Sequence, residues 1–244
     1  MHKTSRRMRR LKKLLWMVHA PSFVDNQGVK LPLKHAAISE GIRKNIYFGE
    51  YEAKEVEIVS RRLTEDDVVM EVGAGIGFLS AFCAKRVGGE RVFAYEANPA
   101  LLPVIAATHR ANGVAPTVKN VMLGRGAGTR TFYLEREFWA SSLIKGSPDA
   151  QAIEVPQVDL NAELAAVAPT FLIVDIEGGE AEFFAAVELP TVRKICIEVH
   201  PGVLSDAQIS QIFARLFAAG FALDFSLIRK NVFYLYRPDA VRGG

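Results

Sequence analysis

The chain has 244 residues, half of them hydrophobic and 23% charged, a composition that excludes intrinsic disorder and collagen-like repetition. A chain of this length buries roughly 70–75% of its unfolded surface, enough for one full core without staples. The net charge of +3 conceals an asymmetry: residues 1–13 hold seven Lys and Arg and no acid, leaving 23 basic against 27 acidic side chains over 14–244.

That basic run, beside Leu11, Leu14, Leu15, Trp16 and Val18, has two readings. It is either a short amphipathic helix making weak contact with an anionic membrane or nucleic acid, or a solvated terminus packed on the body. The apolar stretch 14–18 is interrupted by His19 and Pro21, too short for a signal peptide, and nothing approaches the ~18 apolar residues of a bilayer span. Cys83 and Cys196 each lie in an apolar run, so no disulfide framework is expected. These features predict a cytoplasmic protein without a transmembrane segment. Next, Phe23-Val24 and residues 29–33 flank the turn cluster Asp25-Asn26-Gln27-Gly28 and predict a hairpin, followed by helices over 36–46 and 50–62. The expected organisation is a basic segment 1–20, an accessory hairpin-and-helix unit 21–66 and a main domain 67–244.

From residue 67 short apolar runs alternate with helical stretches, which predicts an α/β fold with a mostly parallel sheet covered on both faces. Strands are expected at 67–72, 91–96, 117–122, 171–175, 193–199, 221–226 and 231–237, and helices at 77–87, 99–111, 159–167, 179–187 and 205–219. The last two strands have no helix between them, so one runs antiparallel. Residues 124–158, with strand-like 130–135 and 153–158, form an excursion too long for a plain connection.

Glu71-Val72-Gly73-Ala74-Gly75-Ile76-Gly77 is a strand end, a glycine turn and a helix start, the first βα crevice where open sheets bind nucleotides. A dinucleotide fingerprint would need a third glycine at 78, where Phe78 stands, so a nicotinamide cofactor is the lesser alternative. The second strand ends in Glu96-Ala97-Asn98-Pro99. A carboxylate there can accept hydrogen bonds from both ribose hydroxyls, as in NAD and S-adenosylmethionine binders. Glu71 is the candidate for an amino group, or else an anion that satisfies the loop amides.

These runs, with Ser141-Ser142-Leu143, Val158-Asp159-Leu160, Asp175-Ile176-Glu177-Gly178-Gly179-Glu180 and Glu198-Val199-His200, resemble the ordered motifs of the FkbM-type methyltransferases over about residues 45–237. The resemblance implies a class I, Rossmann-like seven-stranded sheet of order 3-2-1-4-5-7-6, S-adenosylmethionine as methyl donor, and O-methylation of a sugar or natural-product hydroxyl. It departs from the family's usual residues at Glu71 for Asp, at Ala74 or Ile76 for Asn, at Ala97 for Pro and at Ile173 for Lys. The last removes a cation near the acceptor and points to an atypical one.

The candidate cofactor set is thus Glu71, Gly73, Gly75, Gly77, Glu96, Ala97 and Asn98. Parallel strands bring the acids after the fourth strand to the same rim as the glycine loop, and a hydroxyl must lose its proton as it is methylated. Asp175 or Glu177 could take that proton, or orient the hydroxyl while His200 takes it. Glu180, inside the following helix, reads as a surface or ion-pair residue. Ser141, Ser142 and Glu198 are candidates for holding a small-molecule or glycan acceptor, and Glu198 should meet a donor. Asp159 is expected to cap a helix. The histidines (His2, His19, His35, His109, His200) are scattered without ligand spacing, so no metal is expected. A different class of reading is a binding protein that kept the fold, lost turnover and docks through residues 1–13.

Overall fold

A computed structural model describes Trp16 and residues 21–135 and 147–238. The chain opens with the hairpin β1 (Phe23–Asn26) and β2 (Val29–Pro32), turned by Gln27 and Gly28 at positive φ. Helix α1 (Glu40–Phe48) starts where the Ser39 hydroxyl accepts the Ile42 N–H, four residues later than predicted, and stops at left-handed Gly49. Helix α2 covers Ala53–Arg62 rather than 50–62, so Tyr51 and Glu52 lie in the connection, Glu52 at φ 46°. Val29, Leu31, Leu33, Ile42 and Ile46 are fully buried and share one core with the main sheet.

The main sheet is built from β3 (Val69–Val72), β4 (Val92–Tyr95), β5 (Thr117–Lys119), β9 (Phe171–Val174), β10 (Lys194–Glu198), β11 (Ala222–Leu223) and β12 (Val232–Tyr236). Its order, β11-β12-β10-β9-β3-β4-β5, is 3-2-1-4-5-7-6 when these strands are counted along the chain, with β12 the antiparallel member between β10 and β11. Side chains alternate in register. Val69, Phe171, Ile173 and Cys196 face the core under the hairpin, α1, α2 and α3 (Phe78–Val87). Met70, Leu172, Val174, Ile195 and Ile197 face α5 (Leu160–Val167), α6 (Glu180–Ala186) and α7 (Asp206–Ala218). Helix α4 (Leu102–Asn112) packs through Ile105, with Leu101 of the turn before it, on Ala74 and Ala94. Continuous apolar strands buried on both faces are what a parallel sheet requires.

Two strand expectations need correction. The run 117–122 divides at Asn120, whose amide donates to the Glu96 and Ala97 carbonyls at 2.7 and 3.1 Å; beyond it β6 (Met122–Gly124) joins a second sheet. The run 221–226 shrinks to β11 because the Asp224 side chain caps the short turn Phe225–Leu227. The excursion supplies β7 (Gly128–Leu134) and β8 (Gln151–Asp159), which with β6 make a three-stranded sheet of order β6-β8-β7. Asp159 caps α5 as expected, accepting the Ala162 N–H at 2.8 Å. Cys83 and Cys196 are free and buried. No helix among the described residues is long and apolar enough to cross a membrane. The basic run 1–13 lies outside the described residues, as do Ser141 and Ser142.

Candidate functional site

Strand register builds the site. Val72 pairs with Tyr95 on one side and Val174 on the other, and Val174 pairs with Ile197. The next residue on each strand, Gly73, Glu96, Asp175 and Glu198, therefore stands on one rim. All four line a cavity of about 300 Å³, walled also by Ala97, Asn98, Leu101 and Val121, by Tyr51 to Glu55, and by Met122, Arg130 and Phe132 of the second sheet.

At one end the loop 73–77 turns under the cavity. Gly73, at φ +92°, lies so near β9 that a Cβ would fall 1.7 Å from the Asp175 carbonyl oxygen. Gly75 lies beneath the Tyr51 hydroxyl and Glu52, and Gly77 against His109. Glu96 is buried; its Oε2 accepts the Gly75 N–H at 2.8 Å and its Oε1 the Asn98 N–H at 2.7 Å. Burial lifts its carboxyl to about 7 against those two amides. Glu71 is 1% exposed and neither oxygen makes a hydrogen bond of ordinary geometry, although the Ser80 hydroxyl and N–H lie near enough to favour its charge; burial outweighs them and drives the carboxyl up to about 8. Glu71 lies behind the glycine loop and is not among the residues that line the cavity, unlike Gly73, Gly75, Glu96, Ala97 and Asn98.

At the other end acids surround one imidazole. The His200 Nδ1 is bonded to Glu180, and its Nε2 lies 3.3 Å from Glu177 and 3.5 Å from Asp175. Burial alone would lower the imidazole, but the Glu180 bond and the charges of Asp175 and Glu177 outweigh it and hold it at about 9. These contacts favour the protonated imidazole, with Glu180 as its hydrogen-bonded partner. Burial raises Glu177 to about 7 and Asp175 well above the carboxylate range, with Glu198 adding to the second. Glu180 is fully buried, which excludes the surface reading, and its pairing with His200 meets the ion-pair one. Glu198 does meet donors: Asn231 Nδ2 at 2.6 Å and Lys54 Nζ at 3.6 Å.

Sequence reasoning missed Tyr51, Glu52, Lys54 and Glu55, which enter from the accessory unit. Burial and then Glu198 push Glu55 to about 7, while burial and then Glu71 raise Glu52. The available signal was Gly49, which ends α1 and throws residues 50–52 over the crevice. The expectation of no metal rested on local spacing; the fold brings ligand-type atoms of Asp175, Glu198 and His200 within 4.8 Å of one another.

The sequence profile of the methyltransferase FkbM domain matches residues 71–223. A ribosomal RNA small subunit methyltransferase A of Rubrobacter xylanophilus is 45% identical over 62 residues, 25% of this chain. The match spans 23% of that enzyme's length. Among solved structures, the ribosomal protein L11 methylase of Lactobacillus delbrueckii subsp. bulgaricus is 11% identical with a TM-score of 0.46, covering 77% of each chain. The M. jannaschii TYW2 in complex with AdoMet is 14% identical with a TM-score of 0.41, covering 89% of this chain and 84% of that one.

Proposed function

This chain belongs to the methyltransferase FkbM domain family, and we propose that it methylates a hydroxyl oxygen of a sugar or other natural-product acceptor, with S-adenosylmethionine as donor. In this reading Glu96 receives the ribose hydroxyls on the lone pairs its two amide bonds leave free. Ala97 and Asn98 flank the adenine, and the glycines of 73–77 let the backbone approach. When bound, the donor supplies a methyl group on a sulfonium.

The remaining work belongs to the chain. In-line transfer rewards positioning, and Asp175 and Glu198 stand on the cavity wall where an acceptor would be held. Glu177, held near neutrality, takes the hydroxyl proton, while the His200 cation orients Glu177 and Asp175. The observation that carries this reading is the register that sets Gly73, Glu96 and Asp175 side by side.

The test is transfer of a tritiated methyl group to a panel of sugars, glycosylated natural products and amines, with product linkage read by mass spectrometry. O-methylated product is expected, formed at least a hundredfold more slowly by Asp175→Asn. Equal rates in the two proteins, or methylation of amines alone, would overturn the assignment.

A further inference from the structure

We propose that Asp175, Glu198 and His200 form a divalent-cation site at the carboxyl rim of β9 and β10, with Mn²⁺ the best-matched ion. Their ligand atoms lie within 4.8 Å of one another. Donors bound roughly 2.0–2.4 Å from one ion sit about 3–4.5 Å apart, so small side-chain adjustments bring the three into a single sphere.

Partners already fix how each donor is presented. Fully buried Glu180 holds His200 Nδ1 and turns Nε2 toward Asp175 and Glu177, the carboxylate–histidine arrangement that orients metal-bound imidazoles; the ion takes Nε2 in exchange for the proton that the empty site favours there. Glu198 Oε1 accepts from Asn231, and the neighbouring Glu55 carboxyl shares the Glu198 carboxylate from the accessory unit. Asp175 Oδ1 is sealed from solvent, and its ion-pair partner is His200 Nε2, 3.5 Å away and beyond hydrogen-bond reach. A metal ion between the two would replace that long contact with two short bonds.

Charge points the same way. Glu55, Asp175, Glu177, Glu180 and Glu198 converge here, whereas Lys54 is the cation of another residue that reaches Glu198, at 3.6 Å. Two carboxylates and one imidazole without thiolate suit Mn²⁺ better than Mg²⁺ or Ca²⁺, which prefer all-oxygen shells. Because Asp175, Glu177 and Glu198 line the cavity, the remaining coordination positions are open to water or an acceptor oxygen. Cation binding goes beyond the methyl-transfer reading and is measured separately from it.

The test uses the full chain, freed of metal with a chelator and titrated with Mn²⁺, free ion being read by electron paramagnetic resonance. S-adenosylhomocysteine binding is followed by calorimetry in parallel. One Mn²⁺ per chain with micromolar affinity is expected, weakened at least tenfold in Asp175→Asn and in Glu198→Gln, both checked for folding by thermal melting. Glu40→Gln, on an exposed helix, should leave it unchanged. No binding at millimolar Mn²⁺, or equal binding in both site variants, overturns the proposal. S-adenosylhomocysteine binding without Mn²⁺ binding sinks the cation site alone; Mn²⁺ binding without S-adenosylhomocysteine sinks the methyl-donor reading alone.

Discussion

The carboxylate of Glu96 and the backbone N–H of Gly75 lie 2.8 Å apart, and the other Glu96 oxygen holds the Asn98 N–H. One side chain at the end of β4 thus ties the glycine loop to the turn that follows it, and both are cavity walls. Glu96→Gln keeps the shape but sets an amide N–H₂ against a backbone donor. S-adenosylhomocysteine affinity should fall ten- to a hundredfold, about 1.4–2.7 kcal/mol. Calorimetry decides it, and an affinity within twofold of the parent would remove Glu96 from the grip.

Gly73 tests how tightly β3 and β9 are drawn together. An added Cβ would meet the Asp175 carbonyl at 1.7 Å, with backbone rather than a yielding side chain in the way, and at φ +92°. Gly73→Ala should therefore cost more than about 3 kcal/mol or prevent folding. Gly113 also has positive φ, but its added Cβ would meet nothing within 4 Å, so Gly113→Ala should cost only about 1 kcal/mol. Thermal melting of both proteins should separate a clash from simple backbone strain; equal losses would contradict the close approach.

Most of the fold is legible in the chain because its signals are local. Apolar runs such as Phe171–Val174 and Ile195–Ile197 are uninterrupted, and the link between β11 and β12 is too short for more than the single turn Phe225–Leu227, which fixes the antiparallel partner. Gly73, Glu96 and Asp175 could be placed on one rim because parallel strands end together. The rest depends on non-local contact. Gly49 marks where α1 stops, but no local feature says that Tyr51 and Glu52 will lie over Gly75 or that Glu55 will oppose Glu198. Glu180 opens α6, where an acid is ordinary, and only the distant His200 explains its burial. The break at Asn120 was equally hidden, since its amide bonds the carbonyls of 96 and 97 rather than anything in its own strand.

Glu71 makes stability depend on pH in a stated direction. Its carboxyl is held at about 8 in the folded chain against an ordinary 4.5, so the folded state keeps a proton that the unfolded state has released. Its contribution is therefore greatest below about pH 4.5 and is lost as pH rises through 8. Glu96, held at about 7, acts with the same sign up to that point. His109 is pushed down to about 4 by burial and opposes them only below its ordinary 6.5. Between pH 6.5 and 8 Glu71 alone should remove about 2 kcal/mol, or roughly 4–8 °C in Tm. Calorimetric melts should show this fall in the parent and little of it in Glu71→Gln; parallel profiles would refute the assignment.

Asp67 and Lys194 make a buried ion pair at the opposite rim, where β3 and β10 begin. Asp67 is fully buried, and its Oδ2 receives Lys194 Nζ at 2.7 Å, the Thr64 N–H at 2.9 Å and the Thr64 hydroxyl at 3.0 Å. Its Oδ1 receives the Thr170 hydroxyl at 2.8 Å, so one carboxylate joins the starts of β3, β9 and β10. Lys194 also donates to the Arg62 carbonyl at 3.0 Å, which ties the end of α2 to the same point. Asp67→Ala would strand the ammonium and two hydroxyls, and removing one member of a buried pair typically costs about 3–5 kcal/mol. Urea denaturation should show that loss, whereas S-adenosylhomocysteine affinity of the folded fraction should stay within twofold, because no ligand of the cavity rim is touched. A large loss of affinity with little change in urea midpoint would mean that this network positions the crevice rather than holding the sheet together.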